Sequence, residues 1–398
     1  MMINKVMLFV AFSICCSICY AQYYDSTYYR FSSDIYDNIK KDTPYWQGGV
    51  TSSDLSFIGL YKHALMEYDK PRKGEIPAPI SEVDSLNFVT HYHLSDAKSF
   101  IIQKAKENQI IIFNESHHNP RDRVFVTSLL QDLKKAGFTY LAAETFVNDS
   151  TFLKDEPPGF STGYYTMEPQ FGNLVREAVK LNYTLYPYES TDTVYTAYAR
   201  EWGEAKNIKK LLGKDPKAKI IIHCGYGHIV EDDSIPGWGK AMAGRLKEIT
   251  GIDPYTFDQI KLSERYDTAL ENPYYKLIDA NTYSVLLNDK GEPFHNKSVD
   301  AMMYTPRSKY LYNRPSWVFE NGKDPYILDS AQIKMAFPVM IKAYFRTDNL
   351  QHAIPIDVIE IKTKEELHAT AIALFQRGQF TIVTSNKNGD RQVINVSK

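Results

Sequence analysis

Four short apolar runs in this chain each end in side chains that handle protons or bind metals. Ile110–Phe113 leads into Asn114-Glu115-Ser116-His117-His118-Asn119-Pro120, and Tyr140–Ala143 leads into Glu144. Tyr183–Tyr188 leads into Glu189, and Lys219–Ile222 leads into His223-Cys224-Gly225-Tyr226-Gly227-His228. Carboxylates and imidazoles are the groups used for general acid–base work and for metal ligation. A carboxylate beside an imidazole fixes its tautomer and raises its basicity, which suits Glu115 and His117 to activating water. Glu144, Glu189 and His228 would orient that base, bind metal or stabilise charge. His117, His228 and Glu189 would supply three metal ligands and leave a fourth position for water. His118, His223, Arg200 and the paired Tyr164 and Tyr165, which sit in a glycine-bearing loop, are the candidate contacts to substrate or cofactor. Taken singly, a Glu after a strand is most often a helix cap or solvated surface, and a lone His most often structural. The case rests on coincidence at four successive strand ends. Cys224 lies in the region without an evident helix N-terminus to activate it, and His91 and His93 read as loop residues.

The elements that must position these groups follow from periodicity. Ser95 can cap a helix running to about Asn108, Asn119 and Pro120 open another that Gly137 ends, and Pro169 starts a third. Thr196–Leu212 and Gly239–Thr250 read as further helices, and Thr256–Leu262 as a fifth strand. Strands alternating with helices predict an α/β fold with a mainly parallel sheet flanked by helices. In such a sheet ligands bind beyond the carboxyl ends of the strands, where loops converge and helix N-termini point. Upstream, Ser53–Tyr68 reads as one amphipathic helix within a helical lead-in, followed by a loop at Pro71, Pro77 and Pro79. Past about residue 270 the rhythm is lost. Tyr283–Leu287 reads as a strand and Val318–Pro325 as irregular. Ile354–Ile361, Phe380–Thr384 and Gln392–Val396 are β-like, with a hairpin turn at Asn388-Gly389 and one helix over Glu365–Arg377. The expected division is therefore a leader over 1–21, a helical lead-in over 22–94, an α/β core over 95–320 and a small β-containing region over 321–398.

Met1–Lys5, the apolar Val6–Cys19 and the small Ala21 have the order of a secretory signal. The apolar run is shorter than the roughly 20 residues a membrane span needs. Cleavage after Ala21 predicts a periplasmic or extracellular protein; a lipoprotein anchor on Cys15, Cys16 or Cys19 is the rival. Three of the four cysteines lie in this leader, so the mature chain keeps Cys224 alone and no internal disulfide. Among 398 residues the formal net charge is −2, with no long run of either sign. That gives no reason to expect nucleic acid or an anionic membrane surface as partner; a small-molecule or peptide ligand is expected instead.

The chain resembles the superfamily that joins ChaN-like haem-uptake proteins, Tiki/TraB-type proteins and erythromycin esterases. Three patterns carry the likeness: Asn114-Glu115-Ser116-His117-His118-Asn119-Pro120, the Arg200-Glu201-Trp202-Gly203-Glu204-Ala205-Lys206-Asn207 helix, and Gly225-Tyr226-Gly227-His228. They span roughly residues 110–263. The family glycine before the Glu is Asn114 here, a residue that tolerates a left-handed backbone. The family aspartate is His118; esterase-like members place the key histidine three residues after the Glu, at His118, and ChaN- and Tiki-like members two after, at His117, which is favoured because Asn119-Pro120 then also falls in register. The resemblance implies a site at this rim, in a hydrolase or in a haem binder. The readings are thus a hydrolase of an ester, lactone or amide, with or without a divalent metal; a haem- or metal-binding protein without turnover; and a module that keeps the fold without the chemistry.

Overall fold

A computed structural model describes residues 29–39, 47–192 and 196–398. The leader over 1–21 lies outside the described residues. The lead-in consists of helices α1 (Ser32–Ile39), α2 (Gln47–Phe57), α3 (Tyr61–Asp69) and α4 (Glu82–His91). The single helix expected over Ser53–Tyr68 is two. Gly59 breaks it with φ +72, a conformation that favours glycine, and a Cβ there would sit 2.2 Å from the Val358 carbonyl oxygen.

The core alternates strands and helices: β1 (Tyr92–Asp96), α5 (Ala97–Glu107), β2 (Ile110–Glu115), α6 (Arg121–Lys135), β3 (Tyr140–Ala143), α7 (Pro169–Lys180), β4 (Thr184–Pro187), α8 (Ala197–Lys214), β5 (Ile220–Gly225), α9 (Met242–Thr250), β6 (Tyr255–Leu262), β7 (Ser284–Asn288) and β8 (Ala301–Tyr304). They form one eight-stranded sheet in the order β1-β7-β8-β6-β2-β5-β3-β4. Its six strands from β8 to β4 run parallel, as expected, whereas β7 is antiparallel to both its neighbours. His93, expected in a loop, lies in the edge strand β1, and Asp96 rather than Ser95 caps α5.

β2 shows why an unbroken apolar run makes a central strand. Ile111 and Phe113 pack with Phe125, Leu129, Leu133, Phe171 and Leu174 on one face of the sheet. Ile110 and Ile112 pack with Ala205, Ile208, Leu211, Met242 and Leu246 on the other. A strand alternates its side chains between faces, so a sheet covered on both sides demands apolar residues at every position.

The C-terminal region adds two short strands, β9 (Tyr310–Leu311) and β10 (Arg314–Pro315). A second pair joins β11 (Lys323–Ile327) to β14 (Ala371–Phe375). An antiparallel sheet is built from β12 (Val339–Phe345), β13 (Asp357–Ile361), β15 (Gln379–Asn386) and β16 (Arg391–Ser397). The helix expected over Glu365–Arg377 stops at α10 (Lys364–Ala369). Its second half is β14, because buried Ala371–Leu374 pair along β11 and partner choice overrides local helix propensity. β11 itself begins inside Val318–Pro325, which the sequence reads as irregular. The lead-in packs against this region and against the core: Leu55, Ile58 and Ala64 share a cluster with Met340, Ile354 and Val358 of the former and Met167 of the latter. No helix among the described residues is long and apolar enough to cross a membrane.

Candidate functional site

In the sheet, β2, β5, β3 and β4 are consecutive neighbours and parallel, so their carboxyl ends share one rim. The rim carries two linked clusters. The first is built on β2. Glu115 is 1 % exposed and receives two hydrogen bonds from Arg123 in the first turn of α6, Nε to Oε2 and Nη2 to Oε1, both 2.6 Å. Arg123 also donates from Nη1 to Glu168 Oε2 (3.0 Å) and from Nη2 to the His117 carbonyl (3.0 Å). Burial alone would raise the Glu115 carboxyl. Arg123, by charge and hydrogen bonds, together with His223 and His117, outweighs burial and holds it well below the usual carboxylate range.

His117 Nδ1 lies 2.8 Å from Glu115 Oε1. An ionised Glu115 only accepts, so the ring proton belongs on Nδ1 and the lone pair on Nε2. Tyr165 stacks on the ring at 3.8 Å and Tyr226 meets it edge-on at 5.0 Å. Tyr165 is held in place by its backbone N–H, which donates to Thr145 Oγ1 (2.7 Å). A Cβ on Gly225 would lie 2.5 Å from His117 Nε2 and 3.1 Å from Glu144 Oε2, so only glycine leaves the imidazole this space. His118 faces elsewhere: it stacks on Tyr68 at 3.7 Å, its Nδ1 is 3.2 Å from the Tyr226 hydroxyl, and burial pushes its pKa well down. His223 is buried behind Glu115 with Nε2 3.6 Å from Oε2, and burial lowers its pKa to about 4, leaving it neutral. Cys224 is buried and its thiol is pushed up by burial, which removes its nucleophilic form. Tyr164 lies beside Phe57 and Tyr165, with its hydroxyl 3.5 Å from Asp54.

The second cluster surrounds Arg200, in the first turn of α8. Its Nε donates to Glu189 Oε1 (2.9 Å), its Nη2 to Glu189 Oε2 (2.5 Å) and Glu144 Oε1 (2.6 Å), and its Nη1 is 2.7 Å from His228 Nε2. Glu144 also accepts from the Gly225 N–H at 2.5 Å. Burial would raise Glu144, but His228 and Arg200 hold it well below the usual range. His228 lies in the turn after β5, with Nδ1 2.8 Å from Glu201 Oε1 and 3.2 Å from Glu204 Oε2. Burial disfavours its charged form, and the surrounding glutamates more than offset this and push its pKa well above the ordinary value. Arg200 Nη1 requires a lone pair on Nε2, however, so contact geometry favours one ring proton, on Nδ1 between the two glutamates.

Glu115 and His117 thus meet directly. Glu144, Glu189 and His228 gather around Arg200. Both carboxylate oxygens of Glu189 are occupied by the guanidinium, so it is not grouped with His117 and His228 as a ligand set. Asn114 keeps an extended backbone inside β2 rather than a left-handed one. Its side chain accepts from the Gln259 N–H (2.8 Å) and donates to the Tyr226 carbonyl (3.1 Å), tying β2 to β6 and to the turn after β5. Sequence reasoning missed Arg123, Glu168, Glu201 and Glu204. Glu201 and Glu204 stand three residues apart on the helix that carries the singled-out Arg200, which was the available signal; nothing local marks Arg123 or Glu168. A separate cavity lined by Asp155, Arg176, Phe345, Asp348 and His352 contains none of these groups.

No family model and no curated protein matches this chain. Among solved structures, it is similar to the type III effector HopBA1 at 14 % identity and a TM-score of 0.32, over 43 % of this chain and 87 % of that one, a likeness too weak to carry an argument about fold or function.

Proposed function

We propose that the protein is a hydrolase in which His117 is the general base, acting on an ester, lactone or amide. One observation carries the reading: the buried chain Arg123–Glu115–His117, which fixes the imidazole with its Nδ1 proton on a carboxylate and its Nε2 lone pair on the side of Gly225. A water placed at Nε2 would give up a proton there as its oxygen adds to the carbonyl carbon. The same proton would then pass to the departing oxygen or nitrogen. Arg123 keeps Glu115 ionised, so the carboxylate orients the ring and stabilises the imidazolium formed during the reaction. The leader-like residues 1–21 support a periplasmic or extracellular location for this activity, on a small-molecule or peptide substrate.

The test is a screen of the purified protein against ester, lactone and peptide substrates, followed by Glu115→Gln and His117→Gln. Turnover should fall by about 10²–10⁴-fold in each variant, with the far-ultraviolet circular dichroism unchanged. Unaltered turnover in His117→Gln overturns the assignment. So does a Soret band on adding haem that disappears in His117→Ala, in a protein that turns over none of the substrates; Tyr165, stacked on the ring, would have to leave for haem to bind.

A further inference from the structure

Glu201 and Glu204 stand three residues apart on one face of α8, opposite His228. His228 Nδ1, Glu201 Oε1 and Glu204 Oε2 converge, and one ligand atom from each residue lies within 4.8 Å of the others. Both glutamates are 0 % exposed. The single Nδ1 proton of His228 is directed to Glu201 Oε2 (3.0 Å), so among the described residues Glu201 Oε1 and both oxygens of Glu204 accept no well-aligned hydrogen bond. Arg200 Nη2 approaches Glu204 Oε1 at 3.2 Å, but off the line of a hydrogen bond. A buried carboxylate without a donor is costly unless something else neutralises it.

The charges are also unequal. Glu144, Glu201 and Glu204, all nearly buried, oppose the single fixed charge of Arg200. Glu189, which also pairs with Arg200, is more exposed and partly solvated. A divalent cation balances the three buried carboxylates with His228 neutral.

We infer that His228 Nδ1, Glu201 Oε1 and Glu204 Oε2 form a binding site for a divalent first-row transition-metal ion. One imidazole nitrogen with two carboxylate oxygens suits zinc, manganese, iron or cobalt. The separations of 2.8 and 3.2 Å from Nδ1 to the two oxygens are close to the edges of a coordination shell with bonds of about 2.0–2.2 Å. The remaining atoms of the ligands are supported from outside: Glu201 Oε2 accepts from the Met242 N–H (2.7 Å), and Arg200 flanks Glu204 Oε1. Binding asks one rearrangement of the site. The ring proton moves to Nε2, Glu144 Oε1 at 3.5 Å accepts it, and Arg200 Nη1 withdraws from that nitrogen while its other donors stay on Glu144 and Glu189.

This site is separate from the Glu115–His117 pair, and its test does not depend on hydrolysis. The full chain is stripped with a chelator and titrated with Co²⁺, followed by calorimetry and by the visible absorption of the bound ion. One ion per chain is expected, bound at least about tenfold more weakly by Glu204→Gln and by His228→Asn. Glu115→Gln should bind Co²⁺ like the parent even where it has lost turnover. Absence of stoichiometric uptake by the folded parent overturns the inference without use of any variant. Undiminished binding by Glu204→Gln overturns it as well. A parent that takes up no ion, together with a Glu204→Gln variant of increased stability, would show that protons neutralise the cluster instead.

Discussion

Replacing Arg123 by Met probes the link on which the site's geometry depends. The guanidinium is 0 % exposed and makes 2.6, 2.6 and 3.0 Å hydrogen bonds to the carboxylates of Glu115 and Glu168. Methionine fills similar space and offers no donor, so Arg123→Met strands two buried anions. Removing one partner of a buried ion pair costs about 3–5 kcal/mol, chiefly because the other charge stays buried and unpaired. Two carboxylates share this donor, so the upper part of that range is expected. In a Glu115→Gln background one anion is already gone, and the same substitution should cost less. A double-mutant cycle from urea unfolding of the parent, both single variants and the double variant therefore should give a coupling of about 1.5 kcal/mol or more, within the range found for contacting residues. Losses that add to within about 0.5 kcal/mol would mean that the Arg123–Glu115 pair is not an energetic unit, and the account of how His117 is oriented would fail with it.

Three further outcomes follow from other parts of the molecule. Burial lowers the Lys323 pKa from 10.5 to about 8, in spite of Asp357 and Glu168 nearby. The unfolded chain then holds this proton between about pH 8 and 10.5 after the folded one has released it, so Lys323 makes stability rise with pH over that interval; urea midpoints of Lys323→Met against the parent should lack this increment, and identical slopes would refute it. Gly225→Ala would place a Cβ 2.3 Å from His117 Cε1; turnover should fall by about 10²-fold through displacement of the base, with the thermal midpoint little changed, and full activity would show that Nε2 is not the working atom. Cys224 should react with a thiol reagent only after denaturation, and Cys224→Ser should keep its turnover, because the thiol is buried and its pKa is raised.

The alternation of apolar runs with helical periodicity was enough to place β2, β3, β4 and β5 and to put Glu115, Glu144, Glu189 and His228 near one rim. Local chemistry sufficed because a strand covered on both faces is apolar throughout and its end is marked by the first charged residue, as at Glu115 and Glu144. The C-terminal region was less legible. Residues 371–375 have helical composition, and only the neighbouring β11 makes them a strand. Gly59, similarly, breaks a helix for reasons that lie partly in a carbonyl 299 positions away, at Val358.

Sequence alone determined the α/β class, the mainly parallel character of the sheet and the set of acidic and imidazole groups at its strand ends, since these depend on residue patterns within ten or twenty positions. Tertiary structure decided how those groups divide. It joined Glu115 to His117 through Arg123, spent Glu189 on Arg200, and turned Glu201 and Glu204 inward onto His228. Charge pairing is settled by distances of a few ångströms between side chains on different elements, and no local pattern encodes those distances.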